Sequence, residues 1–286
     1  MATLKQIRGR IKAAKNIQQI TRAMKLVAAA RFKRATDRVV EARPYADKMR
    51  SFMESLASGG SLPDHPLMAR RPVKKYCVII IAADRGLAGS YNTGLLRKTV
   101  DFMKETPGEG SLIAVGKKAF QFFNRRNYTI RHSQNLGSAG ARLEDAVVVT
   151  RVARQLFESG EVDAIYLCYA KFFSAIRQVP TIIPLLPIEP PQQASGAAEE
   201  TNFDFEPSAE KILETLLPRY LMTLIWQAML ESTASFFGAQ MTAMTSATDN
   251  AGKMINTLTI RANRERQAAI TKEILEVVGG AEALKS

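Results

Sequence analysis

The sequence predicts an α/β protein. A long antiparallel two-helix coiled coil from the N- and C-terminal helices joins a Rossmann-like, mostly parallel α/β domain. Three observations predict it. Both ends carry apolar residues at steps of three and four over unusually long stretches. The middle alternates short apolar strands with amphipathic helical segments. At 286 residues and 46% hydrophobic content, the chain can bury a real core, in one to two domains.

The first helix is read from Leu4, Ile7, Ile11, Ala14, Ile17, Ile20, Met24 and Val27, and continues through Phe32, Val39, Met49 and Leu56. Gly9 sits near its start, where the cost is tolerable. Pro44 is expected to bend or break it, because proline lacks an N–H and its ring presses on the preceding turn. Gly59 and Gly60 end it.

Lys75–Ala83, Ser111–Val115, Tyr128–Arg131 and Val162–Ala170 read as strands. Val179–Leu186 reads as an edge strand, since it contains Pro180 and Pro184. Tyr91–Met103, Lys117–Asn124 and Ala141–Ser159 read as the intervening helices, which implies right-handed crossovers. Gln192–Glu200 is a polar linker.

The last helix is expected to begin at Pro218, as a first-turn proline, and to carry Leu221, Ile225, Ser232, Ala239, Ala247, Met254 and Ile270 on its seam. Helix over residues 218–284 would span about 100 Å, far more than a compact domain of this size. Its partner is therefore the other long helix. The many small seam residues permit close approach and suggest that other subunits cover the shaft. The domain reading is residues 1–58 and 201–286 for the coiled coil and 59–200 for the α/β domain.

The formal net charge is +13, which points to an acidic partner. Residues 1–36 hold ten Lys or Arg and no acid. An organellar leader would be serine-rich, and the first serine is Ser51, so the N-terminus reads as working protein. The longest apolar run, Tyr76–Ala83, is far below the roughly 20 residues of a spanning helix. Two cysteines, Cys77 and Cys168, lie in separate apolar strands and read as buried free thiols. His65 and His132 cannot form a metal site alone.

One segment has the placement of a phosphate loop: Asp84-Arg85-Gly86-Leu87-Ala88-Gly89-Ser90-Tyr91-Asn92, after a buried strand and before a helix. It lacks the glycine spacing of a dinucleotide fingerprint and the Lys-Ser/Thr of a P-loop. The reading is a tight turn with Asn92 or Ser90 capping. No catalytic constellation is evident, and three functions stay open on the residues alone: a mechanical subunit, a basic coiled-coil nucleic-acid-binding protein, and a nucleotide-binding enzyme.

Three blocks then carry a family resemblance. They are Ile7-Arg8 with Lys15-Asn16-Ile17-Gln18-Gln19-Ile20-Thr21-Arg22-Ala23-Met24-Lys25-Leu26-Val27, the Asp84–Asn92 segment, and Ala247-Thr248-Asp249-Asn250-Ala251 with Asn263-Arg264-Glu265-Arg266-Gln267-Ala268-Ala269-Ile270-Thr271-Lys272-Glu273-Ile274. In this order, over nearly the whole chain, the sequence resembles the gamma subunit of F-type ATP synthases. The resemblance implies a rotor shaft inside a hexamer of three alpha and three beta subunits. It also implies a foot on the epsilon subunit and the c ring, with membrane association only through the complex, on the cytoplasmic face of a bacterial cell membrane. It implies no catalytic site, cofactor or metal of the chain's own, and no nucleic acid.

Residue by residue, the resemblance makes Arg266, Gln267 and Thr271 contacts with beta-subunit catch loops. Arg8, Arg10, Met24 and Lys25 become shaft positions facing the beta levers. Tyr45, Phe203, Phe205 and Glu206 become the foot. The chain departs from the family pattern at Gln240, Phe236 and Ala262, where Arg, an acid and Tyr are usual, and at Ala88, where many members have Cys.

Overall fold

The computed structural model describes residues 3–58, 65–189 and 209–283. In chain order the elements are helix α1 (Leu4–Ser58), a single 3-10 turn (Pro66–Met68), β1 (Lys75–Ile81), α2 (Tyr91–Glu105), β2 (Glu109–Val115), α3 (Lys117–Asn124), β3 (Ile130–Gln134), α4 (Leu143–Glu158), β4 (Ala164–Phe172), β5 (Gln178–Leu186) and α5 (Ala209–Ala283). They make two compact units, Met1–Val27 with Met241–Ser286, and Ala28–Gln240.

The larger unit holds one five-stranded sheet in the order β3-β2-β1-β4-β5. β1 pairs in parallel with β2 and with β4, and β3 with β2. β5 closes the edge antiparallel, with both prolines on it. β1 is central and buried from Tyr76 onward, which explains its uninterrupted Val78-Ile79-Ile80-Ile81. Its alternate residues feed two cores. Cys77, Ile79 and Ile81 face a layer made by α4, Met49 and Met53 of α1, and Leu213–Met229 of α5. Tyr76, Val78 and Ile80 face α2 and α3. The long helices thus supply part of one layer of the sandwich, beside α4. Asp163 pins the start of β1, accepting the N–H groups of Lys74 and Lys75 at 2.9 Å each. Those two bonds hold its carboxyl below the usual carboxylate range.

Pro44 does not break its helix, and Pro218 does not begin one: α1 runs unbroken through Pro44, and α5 begins at Ala209 with Pro218 inside it. Buried Val39, Met49 and Met53 flank the first proline, and Leu213, Leu217 and Leu221 flank the second. Packing of these faces offsets the roughly 3 kcal/mol that an internal proline costs.

The smaller unit is a helix pair. Thr248 Oγ1 donates to Thr21 Oγ1 at 2.9 Å. A Cβ on Gly252 would lie 3.0 Å from Gln18 Nε2. These contacts fix an antiparallel pairing, with Ile7, Ala14, Met244 and Ala251 buried. Among the described residues, no helix is long and apolar enough to cross a membrane.

Candidate functional site

Strand order reverses between β1 and β4, and in such sheets ligands enter the crevice beyond the strand ends at that point. The Asp84–Asn92 segment lies there, and its side chains hold the loop together. Asn92 Oδ1 accepts the N–H of Ala83 at 3.1 Å, and its Nδ2 donates to the Arg85 carbonyl at 3.1 Å. Asn92 therefore ties the turn, while Ser90 occupies the cap position of α2 without a side-chain bond. Asp84 supplies the one carboxylate. Its Oδ1 accepts the N–H of Lys117 at the start of α3, and its Oδ2 accepts that of Gly137, both at 2.7 Å. Asp84 thus places an anion at the N-terminus of α3, beside the crevice, where the helix dipole favours it.

α5 fills the rest of the crevice. Tyr91 Oη donates to the Ser232 carbonyl at 2.9 Å, and the Ala141 N–H donates to Thr233 Oγ1 at 3.3 Å. Phe236 stacks edge-on against Tyr91 with ring centroids 5.6 Å apart, which accounts for an aromatic where the resemblance expects an acid. The remaining cavity, bordered by Arg31, Asp84 and Gln240, measures about 30 Å³. That is room for about one water, so a nucleotide has no place in it. Sequence reasoning missed this role of Ser232 and Thr233. The sequence shows only polar residues on an otherwise apolar helix face, and their partners lie far along the chain.

Both cysteines are buried, and burial pushes the Cys77 thiol up to about 12 and Cys168 to about 11. Neither forms appreciable thiolate at neutral pH. The expected outcome is no labelling of the native protein by iodoacetamide at pH 8 and labelling of both thiols in denaturant, read by mass spectrometry. His65 accepts the Leu67 N–H on Nδ1 at 3.1 Å, and His132 lies within β3 rather than after a strand. No group of three or more potential metal ligands exists among the described residues.

The helix pair is the other candidate surface. Arg8 and Arg10 are exposed, and Met24 and Lys25 are half-buried. Arg8 and Lys25 are about 25 Å apart along α1, so the set lines a shaft and forms no cluster. Among the described residues, none of the ten basic side chains before Asp37 has an ion-pair partner; Arg31 lies over the Phe237 ring, while Lys5, Arg8, Arg10, Lys12, Lys15 and Arg22 are exposed on the helix pair. Arg266, Gln267 and Thr271 are exposed, with the Thr271 hydroxyl donating to the Gln267 carbonyl at 3.0 Å. Ile270, Ile274 and Val277 beside them are 47%, 57% and 72% exposed, an apolar stripe that the described residues leave uncovered. Tyr45, in the larger unit, is 54% exposed. Phe203, Phe205 and Glu206, and the linker Gln192–Glu200, lie outside the described residues.

Comparison with known proteins agrees with this geometry. A family model described as ATP synthase matches residues 3–284. An ATP synthase gamma chain of Brevibacillus brevis is 46% identical over 98% of both chains. One of Desulfitobacterium hafniense is 47% identical over the full length of both. Among solved structures, a chain of the Euglena gracilis mitochondrial ATP synthase superposes with a TM-score of 0.69 at 19% identity, covering 98% of this chain and 94% of that one.

Proposed function

Because the chain belongs to the ATP synthase gamma-chain family, we propose that it is the rotor shaft of an F-type ATP synthase, coupling proton-driven turning of the c ring to ATP synthesis and hydrolysis. The central-stalk identity follows from the family. The full-length match of 46–47% carries the reading, and two helices of 55 and 75 residues supply what a shaft needs. Its partners are three alpha and three beta subunits, epsilon and the c ring. It sits peripherally, on the cytoplasmic face of a bacterial membrane, through those partners alone. Nothing in the matches supports the nucleic-acid alternative.

The chain brings no catalytic group of its own, and its work is conformational. A rotor changes the nucleotide affinity of a beta subunit only if its angle stabilises one beta conformer over another by differential contacts. The outward basic residues on one helix and the uncovered apolar stripe on the other make the shaft different on its different sides. That asymmetry lets a single shaft present three different faces to three otherwise identical subunits. Arg8, Arg10, Met24 and Lys25 then face the beta levers, and Arg266, Gln267 and Thr271 the catch loops. Tyr45, Phe203, Phe205 and Glu206 form the foot, and residues 1–58 and 201–286 act as the shaft around a 59–200 domain.

Co-expression with the cognate alpha and beta subunits tests this. Native mass spectrometry is expected to give a complex of three alpha, three beta and one copy of this chain, with ATPase turnover that depends on it. A chain that stays out of the complex would overturn the proposal.

A further inference from the structure

At the end of β4, α5 takes the place of a strand. The parallel ladder between β1 and β4 stops at Ile80 and Cys168. Two residues on, the Ala170 N–H donates to Ser232 Oγ at 3.2 Å, and the Ala170 carbonyl accepts from Ser235 Oγ at 3.1 Å. The next alternate residue, Phe172, donates its N–H to Glu231 Oε2 at 3.1 Å. Helix side chains thus satisfy the backbone groups that a neighbouring strand would otherwise pair.

Two further elements grip the same stretch. Tyr91, opening α2, bonds the Ser232 carbonyl, and Ala141, just before α4, bonds Thr233. Thr233 packs so closely over Gly140 that a Cβ there would come within 2.3 Å of its methyl. Ser232, Thr233 and Ser235 are all buried. The five bonds reach residues 231–235, little more than one helical turn, from three separate elements. Apolar packing alone is non-directional and permits slippage. Hydrogen bonds tolerate little angular error, and breaking them here strands buried polar groups.

We propose that this crevice is a torsional joint: the fold's ligand site is given over to holding α5 against rotation about its own axis. The α/β unit thereby delivers torque to the helix that continues to Ala283. This inference rests on the rotor-shaft reading. Tyr91, Ser232, Thr233 and Ser235 are its positioning residues.

The test uses the whole ATP synthase in liposomes. The combined variant Tyr91→Phe, Ser232→Ala, Ser235→Ala is compared with wild type for protons pumped per ATP hydrolysed. Rotor torsional stiffness is measured from the angular fluctuations of a bead on the c ring. ATPase that depends on this chain serves as the check that the shaft is seated. The expected result is a softer rotor and a roughly two- to thirtyfold loss in pumping per ATP, the range over which such contacts carry coupling. Thr233→Val should soften the rotor, and Thr233→Ser, which keeps the hydroxyl, should restore it. If the combined variant does not assemble, Tyr91→Phe alone removes one hydroxyl without removing packing carbon, and must still soften the rotor. Unchanged stiffness in an assembled variant overturns the joint. A wild-type chain that gives no chain-dependent ATPase overturns the rotor-shaft reading itself, a separate result.

Discussion

Replacing Gly116 by alanine is expected to strip the α/β unit of most of its stability. Gly116 follows β2 and caps α3 with φ +94° and ψ 136°, a region essentially closed to residues with a Cβ. The missing side chain also makes room for β1. A Cβ at Gly116 would lie 2.1 Å from the Ala82 carbonyl oxygen and 2.6 Å from its carbon. Neither can yield, because both belong to the backbone at the end of the central strand. The neighbouring ladder is anchored there too, since the Gly116 N–H donates to the Gln134 carbonyl at 2.7 Å. Strain and displacement together place the variant in the exceptional class, at about 4 kcal/mol or more, against a total of roughly 5–15 kcal/mol for a domain. Gly137→Ala is the control. Its φ is +71°, but nothing lies within 4 Å of the added carbon, so the cost is about 1–2 kcal/mol. Thermal melts by circular dichroism compare the two, and a Gly116 variant that melts no lower than the Gly137 variant contradicts the account.

Gly116 also shows where the sequence was readable. α3 starts immediately after it and ends at Asn124, as the helical spacing predicts. β1 and β2 were legible because strands buried on both faces are continuous apolar runs. β3 starts later than Tyr128, and the ladder it joins shifts register between Leu112 and Ile113, an irregularity that no local pattern announces. The prolines misled for a related reason. Pro44 and Pro218 are penalised locally, but the packing that outweighs the penalty comes from residues far along the chain. The crevice was least legible of all. Its Tyr91–Ser232 and Ala141–Thr233 bonds join residues 141 and 92 positions apart. Ser232 was readable as a small seam residue, but nothing near it in sequence says that its hydroxyl pairs a strand end. The shaft surface was legible as charge and spacing, whereas its roles come from partners.

Arg266→Ala with Gln267→Ala is expected to cut the ATPase of the complex with alpha and beta subunits by roughly fivefold or more, the lower edge of typical coupling between sites. The antiparallel pairing set by Thr21–Thr248 and Gln18–Gly252 brings Leu4, the start of α1, opposite about residue 265 at one residue per residue. Arg266 and Gln267 lie at that end of the pairing, next to the start of α1. Among the described residues neither side chain has a partner: both are exposed, and the ion pair found on this stretch is Lys272–Glu276. An unspent guanidinium can take a carboxylate in two parallel bonds, and the amide beside it both donates and accepts. Such contacts exist only at the shaft angles that bring a beta loop opposite, which is the condition for a rotor to bias one site over the others. Thr271 is different, because its hydroxyl already bonds the Gln267 carbonyl. Thr271→Ala should therefore cost less than the pair. Since the double variant removes no buried contact, the isolated chain should melt at the wild-type temperature. Loss of turnover with an unchanged melt supports a catch contact. Full turnover in an assembled complex would leave the stretch as a bearing, in which the exposed Ile270, Ile274 and Val277 carry the contact without directional bonds.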